Sequence, residues 1–182
     1  MSIRVLVTLA FCAAVVAFSD TSAAEDAATI EQKSRAALAS LLKQSPGAAA
    51  IAKESVGTLV FPEVVKGGLI IGGLYGEGAL LESHKVTGYY ETVAASIGLQ
   101  AGIQKFGYAV FFLDQGSLGY LDRSDGWEIG TAPSVVVVDS GAAGKLTTTS
   151  ARERIYVFFF DQKGLMAGLG IEGTKISEFK PE

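Results

Sequence analysis

Histidine and cysteine carry much of the acid–base, nucleophilic and metal chemistry of proteins near neutral pH. This chain of 182 residues has one of each, His84 and Cys12. A single imidazole next to Lys85, with Glu77 and Glu82 nearby in sequence, reads as a surface histidine and not as a general base or metal ligand. One thiol can build neither a disulfide framework nor a cysteine-based zinc site. Gly168-x-Gly170-x-x-Gly173 matches the dinucleotide fingerprint as text, but that motif needs a following helix inside a βαβ unit, and nine residues remain. Gly141-Ala142-Ala143-Gly144-Lys145-Leu146 has Leu where a phosphate-binding loop needs Ser or Thr for Mg²⁺, so it reads as a turn. Gly116-Ser117-Leu118-Gly119 lacks the spacing of a nucleophile elbow, and Asp122–Gly126 lacks a calcium-loop ligand series. The expectation is a protein that is not an enzyme, with no catalytic residues, no metal and no cofactor.

Binding chemistry fares better. Lys53, Lys66, Lys85 and Lys105 flank a glycine-rich stretch, Gly67-Gly68-Leu69-Ile70-Ile71-Gly72-Gly73-Leu74-Tyr75-Gly76-Glu77-Gly78. Gathered on one surface they could meet phosphate headgroups, each worth about 1 kcal/mol against an anionic membrane. Phe61, Tyr75 and Trp127 are the candidate apolar contacts of that lipid-binding site. Trp127 follows a turn and suits either a cover over one sheet end or a membrane interface. Fifteen Lys and Arg stand against nineteen Asp and Glu, a net charge of −4. That balance excludes nucleic acid, whose binding needs a basic face to displace counterions.

The elements that must position these residues change character along the chain. Residues 26–45 read as an amphipathic helix: Thr29 with Gln32 matches a capping box, and Ala27, Ile30, Ser34, Ala37, Leu38, Leu41 and Leu42 form one stripe. Glu31 and Arg35 make an i,i+4 pair, and Ser45-Pro46 restarts a second helix over about 46–55. Beyond Val56 the period becomes two, clearest over Val93–Gln104. Other strands are expected at 57–61, 68–74, 78–83, 107–113, 117–121, 134–139, 145–149, 154–160, 165–171 and 175–179. Val60–Leu69, Phe111–Gly116 and Phe158–Gly164 each resemble an apolar strand, an acidic turn and a glycine-led return. Glycine weakens a strand unless curvature or a close backbone approach requires it. The fold class expected is α+β, with N-terminal amphipathic helices packed on a strongly curved, glycine-rich, mainly antiparallel sheet.

Met1–Ala24 reads as a secretory signal peptide. Arg4 supplies the basic start, Val5–Phe18 the apolar run, and Ser22-Ala23-Ala24 the small residues before a cut ahead of Glu25. The run is shorter than the ~20 residues that span a bilayer core. Cys12 lies inside it behind bulky Phe11, which argues against lipidation. Residues 25–182 then form one domain, exported, periplasmic or peripherally attached to the cell envelope.

Ala52-Lys53-Glu54-Ser55-Val56-Gly57-Thr58-Leu59-Val60-Phe61-Pro62, Lys66-Gly67-Gly68 and Gly72–Gly78 resemble the opening of the SYLF domain. Gly98–Gly102, Gly141–Lys145, Tyr156 and Lys163–Gly168 continue the pattern, from about Ala36 to Phe179. Two positions depart from it: Tyr89-Tyr90 where many members carry Trp, and Ala where Pro is common in the Gly141–Gly144 turn. The resemblance implies a lipid-binding module, and for exported bacterial members a phospholipid or membrane-surface ligand in the cell envelope. Eukaryotic members of the family are associated with phosphoinositides, membrane remodelling and, in fungi, actin; these partners do not carry over to an exported bacterial-type chain, and a protein partner is unknown. Two alternatives stand beside it: a small outer-membrane β-barrel, and a structural or partner-binding envelope domain without a lipid. The helical start and the two-faced apolar runs Val135–Val138 and Phe158–Phe160 oppose the barrel.

Overall fold

Asp26 stands at the start of the first helix. Its carboxylate accepts the Thr29 backbone N–H at 2.7 Å, which caps the first helix and holds the acid below the usual carboxylate range. The cap is therefore Asp26, where the sequence pointed to Thr29 and Gln32. The computed structural model describes residues 25–68, 71–97, 102–122, 126–129, 135–138, 153–164 and 173–182. The signal-peptide segment and the strands expected at 145–149 and 165–171 lie outside them. Helix α1 spans Ala27–Gln44 and α2 spans Pro46–Glu54, the latter capped by Ser45 as expected. The Glu31–Arg35 pair forms at 2.7 Å.

Among the described residues eight strands follow: β1 Gly57–Gly68, β2 Ile71–Glu82, β3 Lys85–Ile97, β4 Gly102–Phe112, β5 Trp127–Glu128, β6 Val135–Val138, β7 Ile155–Gly164 and β8 Lys175–Phe179. One sheet holds them in the order β5-β8-β3-β2-β1-β4-β7-β6. Among the described residues every pairing is antiparallel except β6 with β7. The α+β class holds.

The sheet curls strongly. Phe112 on β4 and Trp127 on β5 are five strand spacings apart, ~24 Å along a flat sheet. Their ring centroids lie 5.8 Å apart. Across the same interior the Tyr108 hydroxyl on β4 donates to Thr92 Oγ1 on β3 at 2.6 Å. Inside the curl a core gathers Leu59, Phe61, Tyr108, Trp127, Val157 and Phe159; outside, α1 and α2 cover Val60, Ala109, Phe111, Tyr156 and Phe158. Runs such as Val60-Phe61 and Phe158-Phe159 are apolar at consecutive positions because both faces are buried there.

Three further sequence expectations need correction. The acidic turns are absent at two of three sites. β1 runs through Pro62-Glu63 with a register shift, and β7 runs through Asp161, which takes φ 51°. Proline lacks the ladder donor, and a bulge accommodates it without ending the strand. At the third site Asp114 and Ser117 form a reciprocal capping box on a short helix, α3 (Gln115–Leu118), where a strand over 117–121 was expected. Finally, the alternation over Val93–Gln104 belongs to two strands, β3 ending at Ile97 and β4 starting at Gly102.

The glycines of β2 answer the question the sequence posed. A Cβ on Gly78 would stand 2.3 Å from the Val60 carbonyl oxygen, and one on Gly76 would stand 2.8 Å from that of Glu63. Both face the β1 bulge, where the backbones close in. The freed Val60 carbonyl also accepts a hydrogen bond from buried Ser34 Oγ on α1 at 3.3 Å. That contact ties the first helix to the bulge.

Candidate functional site

Small side chains on α2 leave room that larger ones would fill. Ala49 and Ala52, with Leu38 and Leu42 of α1, Val56, Gly57 and Leu81, floor an open groove of about 590 Å³ between the helices and one end of the sheet. That volume falls within the range of small-molecule sites. Lys53, Ser55, Thr58, Ser83 and His84 give the groove its polar members. Ser55 Oγ donates to the Ala52 carbonyl at 2.9 Å and lies 3.3 Å from Thr58 Oγ1.

The β2–β3 turn forms part of the wall. Ser83 and His84 both take the left-handed backbone conformation, φ 47° and 67°. This is the twist a two-residue hairpin needs, and it ordinarily recruits Asn-Gly. Two side-chain-bearing residues there cost about 1–2 kcal/mol each. Arg35 Nη1 on α1 donates to the His84 carbonyl at 2.9 Å, which fixes the strained turn against the helix. Strain held by a supporting contact at the edge of a cavity is a recurrent mark of binding sites.

The seven residues singled out from the sequence separate into three places. Lys53 lines the groove, and exposed Lys85 follows His84 directly in the chain. Lys66, Lys105 and Tyr75 lie toward the opposite, glycine-rich end of the sheet, where Lys105 pairs with Glu63 at 3.0 Å. Tyr75 is 44% exposed and donates its hydroxyl to Glu77 at 2.6 Å. Partial burial and that carboxylate push its ionisation well above the ordinary tyrosine value. Phe61 and Trp127 are 0% exposed. Phe61 packs 4.8 Å from Tyr108, and Trp127 stacks on Tyr120, so both are core residues that offer no surface in this conformation. Trp127 is the interior cover of a sheet end, the first of its two expected roles.

Sequence reasoning passed over most of the groove. Leu38 and Leu42 stood in the helical stripe, but which stripe residues face a cavity depends on the partner surface. His84 reads from the sequence as a surface residue, and it is exposed; that it lines the same groove as Lys53 follows only from the fold. One row of carboxylates was also hidden in sequence: Glu63, Glu77 and Glu91 sit at consecutive registers across β1, β2 and β3. Lys105, the Glu25 backbone N–H at 3.2 Å from Glu77 Oε2, and the Tyr75 hydroxyl satisfy part of it. Among the described residues no group of three or more His, Cys, Asp or Glu could hold a metal ion. No helix among them is long and apolar enough to cross a membrane.

An apolar groove with a lysine and hydroxyls at its edge can hold an amphiphile, chain on the leucines and headgroup at the rim. Neither a model of any known protein family nor any curated protein matches the chain.

Proposed function

We propose that this protein is a non-enzymatic phospholipid-binding module of the bacterial cell envelope, exported by its N-terminal segment and related to the SYLF domain. The observation that carries the reading is the groove: a floor of Leu38, Leu42, Ala49, Ala52 and Leu81 beneath Lys53, Ser55, Thr58 and His84. Acyl chain burial supplies affinity at about 25 cal/mol per Å². A phosphate at the rim is matched by Lys53, with Lys85 one residue beyond His84. The motif resemblance supports the same ligand class.

The barrel alternative fits less well. A spanning barrel closes its edges and turns its apolar side to lipid. Here α1 and α2 cover part of the outer face and aromatic side chains fill the inside. Ala49→Leu/Ala52→Leu tests the groove by filling it. The protein is incubated with phospholipid, freed of excess, and its retained lipid measured by mass spectrometry. The wild type is expected to keep lipid and the filled variant to lose it at unchanged circular dichroism. Equal retention by both would remove the groove from the reading, and no retention by either would remove the lipid.

A further inference from the structure

The helices cover only part of the outer sheet face, and at its glycine-rich end the uncovered part carries a group of exposed apolar side chains. Register pairing places Val93, Tyr75 and Val65 side by side on β3, β2 and β1, continued by Lys105 on β4 and Lys163 on β7. Ile103 occupies the next row of the same face. Val65, Tyr75, Val93 and Ile103 are 39%, 44%, 41% and 68% exposed, and they are four of the five large apolar residues exposed among those described. Soluble proteins scatter such residues singly, and a contiguous group marks an interaction surface.

Charge says what that surface meets. The described residues 67–68, 71–76, 92–97 and 102–104 contain no Asp, Glu, Lys or Arg. Lys105 and Lys163 border the patch on one side. The Glu63–Glu77–Glu91 row lies behind it, toward the helices. An apolar end with a cationic border matches a bilayer surface, and the nearest carboxylates, Glu63 and Glu77, are engaged by Lys105 and the Tyr75 hydroxyl: side chains enter the headgroup layer, lysines meet phosphates, and Tyr75 sits at the level where tyrosine is enriched. We infer that the glycine-rich end of the sheet docks this protein onto an anionic membrane through Val65, Tyr75, Val93 and Ile103, with Lys105 and Lys163 as headgroup contacts. This rests on the lipid-binding reading above and adds a second site, separate from the groove: one surface holds the membrane, the other a single lipid.

Flotation separates the two. The protein produced from its full sequence is mixed with vesicles of phosphatidylcholine alone, or of phosphatidylcholine and phosphatidylglycerol in equal parts. It is expected to float with the anionic vesicles and to release them as salt is raised. Lys163→Gln should weaken partitioning about five-fold, the contribution of one lysine near an anionic surface. Ile103→Ser should weaken it at least as much, and neither variant should change the melting temperature, since both side chains are exposed. The groove-filling variant should float like wild type. Unchanged flotation of Ile103→Ser and Lys163→Gln would overturn the inference and leave the lipid reading standing. A dimer in solution that Ile103→Ser dissociates, without flotation, would also overturn it, because the face would then cover a second copy. Failure to float together with failure to retain lipid in the groove would remove the underlying reading as well.

Discussion

Replacing Gly78 by alanine should destabilise the protein, whereas the same change at Gly73, five residues earlier on β2, should not. The required Cβ at Gly78 lies 2.3 Å from the Val60 carbonyl oxygen and 2.9 Å from its carbon. Ordinary contact begins near 3.4 Å, so β1 or β2 must move by about 1 Å at a point of backbone against backbone. No rotamer can relieve that clash. Overpacking of this kind costs about 1–3 kcal/mol. Displacing Val60 also strains the Ser34 Oγ contact to its carbonyl, so the upper half of that range is expected. At about 2–4 °C per kcal/mol for a chain of this size, the melting temperature should fall by roughly 4–12 °C. At Gly73 the nearest atom, the Ala94 carbonyl oxygen, lies 3.7 Å away. There alanine fits and removes unfolded-chain freedom, so the change should lie between neutral and about 1 kcal/mol stabilising. Thermal and urea unfolding of the two single variants measure the contrast. Equal effects at both positions would refute the claim that Gly78 is required by close approach and would return the glycines to a general role in curvature.

Two further outcomes follow from the geometry. Ser83→Asn/His84→Gly supplies the residues the left-handed hairpin turn favours, and should raise stability by about 1–2 kcal/mol in urea unfolding; no gain would mean that the Arg35 contact already offsets the strain. Burial lifts Tyr90 to about 12, helped by Glu178, Asp122 and Glu82, and lifts Tyr108 further. An acid whose pKa is raised by folding binds its proton more tightly in the native state, so stability is fully present below the unfolded value near 10 and is lost above it. Unfolding followed from pH 9 to 12 should therefore show stability falling above pH 10, with Tyr108 tyrosinate appearing only with unfolding and Tyr90 tyrosinate reaching the folded protein only near pH 12. Tyrosinate at Tyr108 in the folded protein would contradict its enclosure.

Much of the architecture was legible in local chemistry. The α1 stripe, the Ser45-Pro46 restart and the Glu31–Arg35 pair depend on residues within one or two turns of each other, and they form where expected. The capping box at Asp114 and Ser117 was equally local and went unread because the apolar residues around it suggested a strand. Pro62 and Asp161 looked like chain reversals. Whether such a residue turns a strand or bulges it is decided by the neighbouring strand's ability to keep pairing beyond it, and β4 does so past both.

The site divided along the same line. Residue types alone determined that the chain has one histidine and one cysteine, that lysines flank a glycine-rich stretch, and that its fold begins with amphipathic helices and continues as sheet. Only the tertiary structure decided which of those residues share a surface. Curling brought Trp127 against Phe112 and buried it, Phe61 turned inward beside Tyr108, and Lys53 came to the hairpin that carries His84 while Lys105 went to the other end. Side-chain chemistry is a property of the residue and survives in the sequence. Neighbourhood depends on strand order and register, which long-range packing sets after the local choices have been made.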